Sequence, residues 1–307
     1  MPPMRSAFVL LLFLATAARA DFREFARIPR DPSIETKLRY AAEATLKAYP
    51  KLKAEDLAIS VVDLTNPSTI SRGDIRGDAP FYPASVIKLF FMADVYATKK
   101  QNTPDVGRAL ENMIVESDND ATAYIVDVLA DTTSGVSLEG RPLRRYVDKR
   151  REINQRFERL GYTDNVSAMM KTWSFAPYGR DLQVLGENRV NRNKLTPNAT
   201  ASMLLWIARR RAPSSDAVMD LLHRPLSPQR DSENQVKEFI GEALPTDTKL
   251  WSKAGWTSEV RHDAAYIELV SGRKLILVVF TRGSEGIEGD KTLIPTVTRN
   301  VLKELAK

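Results

Sequence analysis

The sequence predicts an α+β fold, in which an antiparallel sheet is flanked by terminal helices and carries an all-helical lobe. Three observations support this class. β-rich segments occur at both ends of the chain, helical segments fill its centre, and further helical segments precede the first strand and follow the last. A sheet built from both ends with a helical insertion is an economical α+β arrangement. We expect an α/β lobe from about residues 21–75 and 245–307, and a helical lobe from about 76–244, folded as one unit.

The individual elements follow from hydrophobic spacing and from turn residues. Helical patterns occur at Ser33–Tyr49, Ser85–Lys100, Asp105–Val115, Asp120–Leu129, Leu143–Leu160, Asn198–Arg210, Ser215–Leu222 and about Pro295–Leu305. Strand patterns occur at Leu57–Leu64, Ser68–Arg72, Thr248–Thr257, His262–Val270 and Lys274–Thr281.

One central segment, Thr163–Thr196, shows little periodicity and is predicted to be a long loop. Loops of this length are uncommon in compact domains and are often functional. The loop contains several large apolar or aromatic side chains, which we interpret as packing within the loop and not as a ligand site: Met169, Met170, Trp173, Phe175 and Tyr178.

The first twenty residues differ from the rest of the chain. They contain Arg5, an apolar run from Ala7 to Ala15, and an Ala-Arg-Ala sequence that ends at Ala20. This pattern is typical of a secretory signal peptide cleaved before Asp21. The alternative is an uncleaved anchor, but the run is shorter than the roughly 20 residues that a membrane span needs. We expect a secreted or periplasmic protein.

Composition excludes several classes of site. The chain has 307 residues, a formal net charge of +6, no cysteine and two histidines. Disulfides and thiolate metal sites are therefore impossible, and we expect neither a metal nor a cofactor. Much of the positive charge lies in Arg141–Arg159, which we interpret as a solvated helix face, because an exported protein seldom meets nucleic acid. We expect a monomer with no nucleic-acid partner and no stable membrane span.

Ser85 and Lys88 stand three residues apart at the start of an almost wholly apolar segment. Positions i and i+3 of a helix share a face, so the two side chains can meet. An all-apolar helix is normally buried, and burial disfavours the charged form of lysine. A neutral amine beside the Ser85 hydroxyl can take its proton, which activates a serine nucleophile. The spacing therefore predicts an active centre at this helix N-terminus.

A purely structural explanation of the same pair remains open. Ser85 can serve as an N-cap, and Lys88 can extend into water. The same spacing recurs at Ser271 and Lys274, in a predicted hairpin turn, so the pair alone is weak evidence.

Two further short motifs strengthen the hypothesis. Ser117–Asn119, of sequence Ser-Asp-Asn, lies between two helical segments, and Lys253–Gly255, of sequence Lys-Ala-Gly, lies on the first strand of the C-terminal meander. Each alone is explained as a helix cap or a strand end. S-x-x-K, S-D-N and K-T-G together are the signature of class A β-lactamases and penicillin-binding proteins. From Asp21 to the C-terminus, the chain resembles this serine β-lactamase/penicillin-binding superfamily in motif order, spacing and layout, and is closest to class A.

The resemblance implies an exported serine hydrolase that opens β-lactam amides through an acyl-serine intermediate. Ser85 would be the nucleophile, Lys88 the general base, and Ser117 the relay of a proton to the leaving nitrogen. Asn119 would bind a substrate amide and orient Lys88, and Lys253 would hold Ser117 and attract a substrate carboxylate. The expected substrate is a β-lactam or an acyl-D-Ala-D-Ala-like peptide.

The resemblance also implies a substrate-binding edge on the first meander strand. The small residues Ala254 and Gly255 would let the substrate lie along this strand. The backbone N–H groups of the nucleophile and of Trp256 would form the oxyanion hole. Arg261, or its neighbour His262, would bind the substrate carboxylate from the next strand.

The sequence departs from the class A pattern in two places. Ala254 replaces the usual Thr or Ser, which removes a hydroxyl. The loop glutamate that activates the deacylating water is not recognisable. Glu187 is the nearest candidate, with Asp181 behind it. Without such a carboxylate, hydrolysis of the acyl-enzyme would be slow, and a D-alanyl peptidase-type or esterase-type relative is the alternative.

Two other hypotheses compete with this one. A Ser-His-Asp triad of Ser85, His262 and Asp263 is disfavoured because adjacent residues of a strand point to opposite faces. A non-catalytic binder of cell-wall peptide could keep the fold without turnover, but such a descendant would be free to lose the serines and lysines that this chain retains.

Overall fold

The computed structural model describes residues 22–163, 165–209, 215–226, 235–283 and 290–307. The predicted signal peptide at residues 1–20 lies outside the described residues. The strands are β1 (Leu57–Asp63), β2 (Ser71–Ile75), β3 (Lys249–Trp256), β4 (Val260–Glu268) and β5 (Lys274–Arg282). They form a five-stranded antiparallel sheet in the order β2-β1-β5-β4-β3. Because β1 pairs with β5, the two ends of the chain are joined within one sheet.

The helices surround this sheet and fill the centre of the chain. They are α1 (Phe22–Ala26), α2 (Pro32–Ala48), α3 (Lys88–Ala97), α4 (Pro104–Ile114), α5 (Asn119–Ala130), α6 (Gly140–Arg159), α7 (Gly179–Leu185), α8 (Pro197–Ala208), α9 (Ser215–Leu222) and α10 (Leu293–Leu305). The predicted α+β class is confirmed. In the described part of the chain, no helix has the length and apolar character that a membrane span requires.

Both faces of the sheet are buried, but against different layers. On one face, α2 and α10 enclose an apolar cluster that includes Leu38, Ile59 and Val279. On the other face, a larger cluster joins the sheet to the helical lobe and includes Val278 and Phe90. Both faces of the sheet are therefore covered by apolar packing, and only its edges can contribute to a functional site.

The helix expected over Ser85–Lys100 is shorter than predicted. It consists of a short 3₁₀ turn at Ala84–Ile87 followed by α3, which ends at Ala97. Ala84 and Lys99 have φ values of +45° and +57°, so the backbone leaves the right-handed helical region on both sides. The residues from Lys88 to Tyr96 are all buried, as the apolar sequence predicts.

The long central loop is less irregular than the sequence predicts. It contains α7 and a 3₁₀ turn at Glu187–Arg189, and neither is long enough to give a periodic pattern. Met169 and Met170 are buried in a small cluster, which agrees with packing within the loop. Phe175 and Tyr178 are 94% and 76% exposed, so the prediction that they pack inside the loop is wrong.

A buried cluster of four charged side chains attaches this loop to the helical lobe. Arg150 of α6 contacts Asp181 of α7 at 2.7 Å and Asp127 of α5 at 3.1 Å. Lys171 of the loop contacts Asp127 at 2.6 Å and Asp181 at 3.6 Å. The two cations and two anions balance, which is the condition under which buried charges are tolerated. Ion pairing therefore helps to anchor the loop, together with the buried methionines.

We expect Arg150→Met to lower the free energy of unfolding by about 3 kcal/mol, because it removes the 2.7 Å partner of the buried Asp181 carboxylate and leaves that carboxylate only Lys171, at 3.6 Å. The matched control is Arg108→Met, which removes an exposed ion pair with Asp105 that contributes about 1 kcal/mol or less. Urea unfolding followed by circular dichroism measures both variants. Equal losses in the two variants would contradict the anchoring role of the cluster.

Candidate active site

Ser85 lies in the 3₁₀ turn at Ala84–Ile87, directly before α3. The other three residues of this turn are buried, whereas Ser85 is partly exposed. Ala84 has its φ in the left-handed region, which non-glycine residues rarely adopt. Such strained residues persist only where the surrounding structure holds them. The turn therefore presents the Ser85 side chain to solvent while its neighbours fix it to the core.

A buried histidine holds the chain just before this turn. His262 accepts a hydrogen bond from Thr281 N–H at Nδ1 (3.1 Å), and its Nε2 lies 2.9 Å from Tyr82 O. Because Nδ1 is an acceptor, the proton resides on Nε2 and is donated to Tyr82 O. Burial lowers the pKa of His262 to about 4, so the ring stays neutral near pH 7. His262 is thus a neutral anchor for the segment that leads to Ser85.

The Ser-His-Asp alternative has no support in this geometry. The Asp263 carboxylate accepts from the backbone N–H groups of Ile240 at 2.9 Å and of Ala264 at 2.8 Å. Burial raises the pKa of Asp263 to about 6. The hydrogen bonds of His262 and Asp263 are made to different parts of the backbone, as expected for residues on opposite faces of β4.

Strand β3 touches the Ser85 turn through its backbone. A Cβ atom built on Gly255 would lie 2.7 Å from Ser85 N and 2.8 Å from Val86 N. No side chain fits there without moving the backbone of the turn. Gly255 is therefore required for the close approach of the Lys-Ala-Gly strand to the proposed nucleophile.

The Lys88 amine lies in the Ser-Asp-Asn turn between α4 and α5. It donates to Ser117 O at 2.5 Å and to Asn119 Oδ1 at 3.0 Å, and it is 3.3 Å from both Ser117 Oγ and Asp118 O. Ser117 has a φ of +58°, which turns the backbone so that successive carbonyl groups converge on the amine. Burial lowers the pKa of Lys88 to about 7, against a smaller opposing effect of the Asp118 charge. A large fraction of Lys88 is therefore neutral at neutral pH.

The expected hydrogen bond between Lys88 and Ser85 is not formed among the described residues. Carbonyl and amide oxygens of the Ser-Asp-Asn turn compete for the lysine protons and take them. Catalytic hydrogen bonds in unliganded enzymes are often long or poorly aligned and tighten with substrate. The i, i+3 spacing thus brought both residues to one turn but did not determine the direction of the amine.

A second buried amine contacts the same serine from the opposite side. Lys253 donates to Ser117 Oγ at 3.0 Å, to Ala254 O at 2.9 Å and to Gln235 Oε1 at 2.5 Å. Burial is the main cause that lowers the pKa of Lys253 well below its ordinary value, and the charge of Lys88 adds to the effect. The Ser117 hydroxyl therefore lies between two amines that both release protons readily.

The free edge of β3 adds backbone donors beside Ser85. Ala254 N–H donates to Gln235 Oε1 at 3.1 Å on the side away from β4. Alternate residues of a strand direct their backbone groups to the same side, so Trp256 N–H also faces this edge. Ser85 N–H has no acceptor among the described turns and caps. These two N–H groups are therefore candidate donors for a developing oxyanion.

The remaining predicted site residues have other surroundings. Arg261 is 4% exposed and donates to Glu238 at 2.8 Å, so its charge is already paired inside the protein. Glu187 is exposed on its 3₁₀ turn and forms no hydrogen bond with the described residues of the Ser-Asp-Asn turn. Asp181 belongs to the buried ion cluster. The Asn119 amide nitrogen, Nδ2, donates a hydrogen bond to Ser174 Oγ of the loop at 3.4 Å.

Two contributors were missed by sequence reasoning. No sequence pattern indicated a functional role for Gln235, because it is a single glutamine in a segment without periodicity. The sequence favours an ordinary strand residue or a substrate contact at His262 and gives no sign that it anchors the Ser85 turn. Its position opposite Gly255 in the β3–β4 register places it behind the Ser85 turn, but register cannot be read from composition.

We expect Gly255→Ala to reduce acylation of Ser85 by about 10²-fold, a loss typical of a displacement of about 1 Å in a reacting group. The control is Gly107→Ala on α4, where an added Cβ meets no atom within 4 Å and alanine favours the helix. The rate of adduct formation with a labelled penicillin measures both. Normal labelling of Gly255→Ala would contradict the close contact between β3 and the turn.

The comparisons with known proteins agree with the fold and the motifs. A model of the beta-lactamase enzyme family matches residues 97–305, a region that contains the Ser-Asp-Asn and Lys-Ala-Gly motifs and begins after Ser85 and Lys88. No curated protein matches the chain.

Several solved structures share the fold. PBP-A is 17% identical, with 91% of this chain and 98% of that chain covered and a TM-score of 0.62. A β-lactamase from Sphaerobacter thermophilus DSM 20745 is 19% identical, with 87% and 97% covered and a TM-score of 0.60. One from Xanthomonas campestris pv. campestris str. ATCC 33913 is 17% identical, with 89% and 98% covered and a TM-score of 0.60.

The resemblance to the serine β-lactamase/penicillin-binding superfamily is thus confirmed. Because the family model spans more than half of the sequence, the chain belongs to the beta-lactamase enzyme family.

Proposed function

We propose that this serine hydrolase opens β-lactam amides by forming an acyl-enzyme on Ser85, and that it hydrolyses this acyl-enzyme slowly. The observation that carries the proposal is the environment of Lys88. Its amine is buried, shares the Ser117 hydroxyl with Lys253, and has no carboxylate among its described hydrogen-bond partners. The two amines can accept and return the protons that acylation transfers. Without a carboxylate beside Lys88, hydrolysis of the acyl-enzyme is slow.

Acylation requires two proton transfers. One removes the proton of the attacking Ser85 hydroxyl, and the other delivers a proton to the leaving nitrogen. Neutral Lys88 takes the proton of Ser85 as Oγ bonds to the carbonyl carbon. The backbone N–H groups of Ser85 and Trp256 stabilise the oxyanion. When the C–N bond breaks, the nitrogen receives a proton from Ser117, which recovers one from the adjoining amines. One O–C bond forms, one C–N bond breaks, and the serine proton is transferred to nitrogen overall.

Deacylation places a different demand on the site. Water must lose a proton as it attacks the acyl carbon, and a nearby carboxylate is an effective base for that step. The two acidic groups that the structure describes in the loop are engaged elsewhere or exposed. Asp181 is paired with Arg150 and Lys171, and Glu187 points to solvent. This arrangement favours a long-lived acyl-enzyme, as in penicillin-binding or peptidase-type enzymes.

The comparisons support the acyl-serine chemistry in a related fold. A mutant of PBP-A, 18% identical to this chain, has been solved as an acyl-enzyme complex with penicillin G. Export remains part of the proposal and rests on the signal-peptide pattern of residues 1–20.

We expect one equivalent of penicillin to remain bound to the mature protein for many minutes, because acylation is assisted and deacylation is not. Intact mass spectrometry at successive times after mixing measures the adduct, and a chromogenic cephalosporin measures turnover. Ser85→Ala should form no adduct. Labelling that survives this substitution would refute Ser85 as the nucleophile.

The same experiment separates the rival functions. Rapid colour without a lasting adduct would contradict slow deacylation, and Glu187→Gln would then test whether Glu187 is the base of a true β-lactamase. Neither adduct nor colour would refute the β-lactam proposal and favour an esterase or a peptide binder.

A further inference from the structure

Gln235 is a buried residue at the point where β3 meets the helical lobe. It is 1% exposed and its φ is +64°, so a non-glycine residue is held in the left-handed region at this position. Its side-chain amide makes four hydrogen bonds. Oε1 accepts from Lys253 Nζ at 2.5 Å and from Ala254 N–H at 3.1 Å, and Nε2 donates to Ile114 O at 3.1 Å and Val115 O at 3.0 Å.

These partners determine the orientation of the amide. Ala254 N–H can only donate, and the carbonyl groups of Ile114 and Val115 can only accept. A flipped amide would place its NH₂ group against an N–H group and its oxygen against two carbonyl oxygens. The amide oxygen of Gln235 therefore faces Lys253 as a permanent acceptor.

The consequence for Lys253 follows from counting its protons. An ammonium group has three N–H donors, and Lys253 has three acceptors: Gln235 Oε1, Ala254 O and Ser117 Oγ. Two of these are amide or carbonyl oxygens, which cannot donate a hydrogen bond to the lone pair of a neutral amine. The third is a hydroxyl, which can accept from the ammonium form and donate to the neutral form. The proton can therefore be exchanged only in the direction of Ser117.

Gln235 also fixes the other partner of this exchange. Its NH₂ group binds Ile114 and Val115, where α4 ends and the chain continues to Ser117. One side chain thus connects the strand that carries Lys253 with the backbone that carries Ser117.

We propose that Gln235 is a positioning residue that directs the exchangeable proton of Lys253 to Ser117, and so to the leaving nitrogen of the substrate. This inference rests on the proposed acyl-serine function. Gln235 does not touch the reacting atoms and acts through Lys253.

Other charged groups act on Lys253 and must stay constant in a test. Burial lowers the pKa of Lys253, as do the positive charges of Lys88 and Arg224, whereas the buried Asp263 carboxylate raises it. Substitutions at Gln235 leave all three of these groups in place, so a change in Lys253 titration reports on the amide itself.

Two substitutions of nearly equal size act on Lys253 in opposite directions. Gln235→Glu places a carboxylate oxygen against the ammonium, and we expect the ionised carboxylate to raise the pKa of Lys253, although its second oxygen loses the donor contacts to Ile114 O and Val115 O. Gln235→Met removes an acceptor of the charged form, and we expect it to lower that pKa. In the proposed relay, acylation needs a neutral Lys88 and a proton on Lys253, so its rate falls on the alkaline side as Lys253 titrates. The alkaline limb of the acylation rate should therefore move up in the first variant and down in the second.

The matched controls are Gln183→Glu and Gln183→Met. Gln183 also binds backbone through both amide atoms, at Leu138 N and Leu138 O (2.8 and 2.9 Å), but it lies on α7 and not at Lys253. These variants should leave the alkaline limb unchanged, although they also lose side-chain hydrogen bonds to the backbone. A purely structural role of Gln235 would lower stability and rate without displacing the limb.

The titration of Lys253 can be followed without any substrate. The ¹³Cε signal of Lys253, assigned by its loss in Lys253→Arg, is recorded against pH in full-length mature protein carrying labelled lysine. Opposite displacements in the two Gln235 variants and none in the Gln183 variants support the inference. An unchanged Lys253 titration in Gln235→Met overturns it, as does an unchanged titration in Gln235→Glu at a pH where the new carboxyl is ionised. If the wild-type protein forms no penicillin adduct, the proposed function fails while this measurement still tests the role of Gln235.

Discussion

The Ser117 hydroxyl lies between two lysine amines that water reaches poorly, and much of the structure serves to keep it there. Lys88 is 3.3 Å away on one side and Lys253 is 3.0 Å away on the other. Two full positive charges this close in a buried place repel each other strongly. The arrangement therefore favours one neutral and one charged amine, which is the combination that a proton-relay mechanism requires.

The three motifs meet because the sheet joins distant parts of the chain. β1 and β5 pair near the middle of the sheet, which leaves β3 at the edge, beside the helical lobe. Gly255 lets that edge approach the Ser85 turn, and Gln235 ties the same edge to the end of α4. Packing of the helical lobe on one face and of α2 and α10 on the other holds these contacts at a fixed spacing. The site thus depends on the interface between the two lobes.

Much of the fold could be predicted from the sequence, because hydrophobic spacing is a local property. The apolar run of α3 indicated a buried helix, and α9 was predicted with its observed bounds. The strained turn at Ala84 and the short helix α7 could not be predicted, since neither leaves a periodic pattern. The long loop was misjudged for a related reason. Its aromatic residues suggested an apolar core, whereas four charges far apart in sequence help to hold it.

The residues of the site that belong to sequence motifs could be predicted. Features that depend on tertiary hydrogen bonds could not. Ser117, Asn119 and Lys253 converge on one another as the motif order implies, but the direction of the Lys88 amine depends on which oxygens of the Ser-Asp-Asn turn compete for it. The contributions of Gln235 and His262 arise from tertiary contacts alone. Arg261 was expected to face substrate, yet its guanidinium is paired with Glu238 inside the protein.

Acylation by this site requires Lys88 to give up its proton near neutral pH, and direct observation of the Lys88 titration is the sharpest test. In protein carrying ¹³C-labelled lysine, the Lys88 signal can be identified by its absence in Lys88→Arg and followed from pH 5 to pH 11. We expect a midpoint at about 7, so that the neutral amine predominates above that pH. A midpoint close to the ordinary lysine value of about 10.4 would mean that the amine stays charged near pH 7, and it would contradict the proposed role of Lys88 as the base.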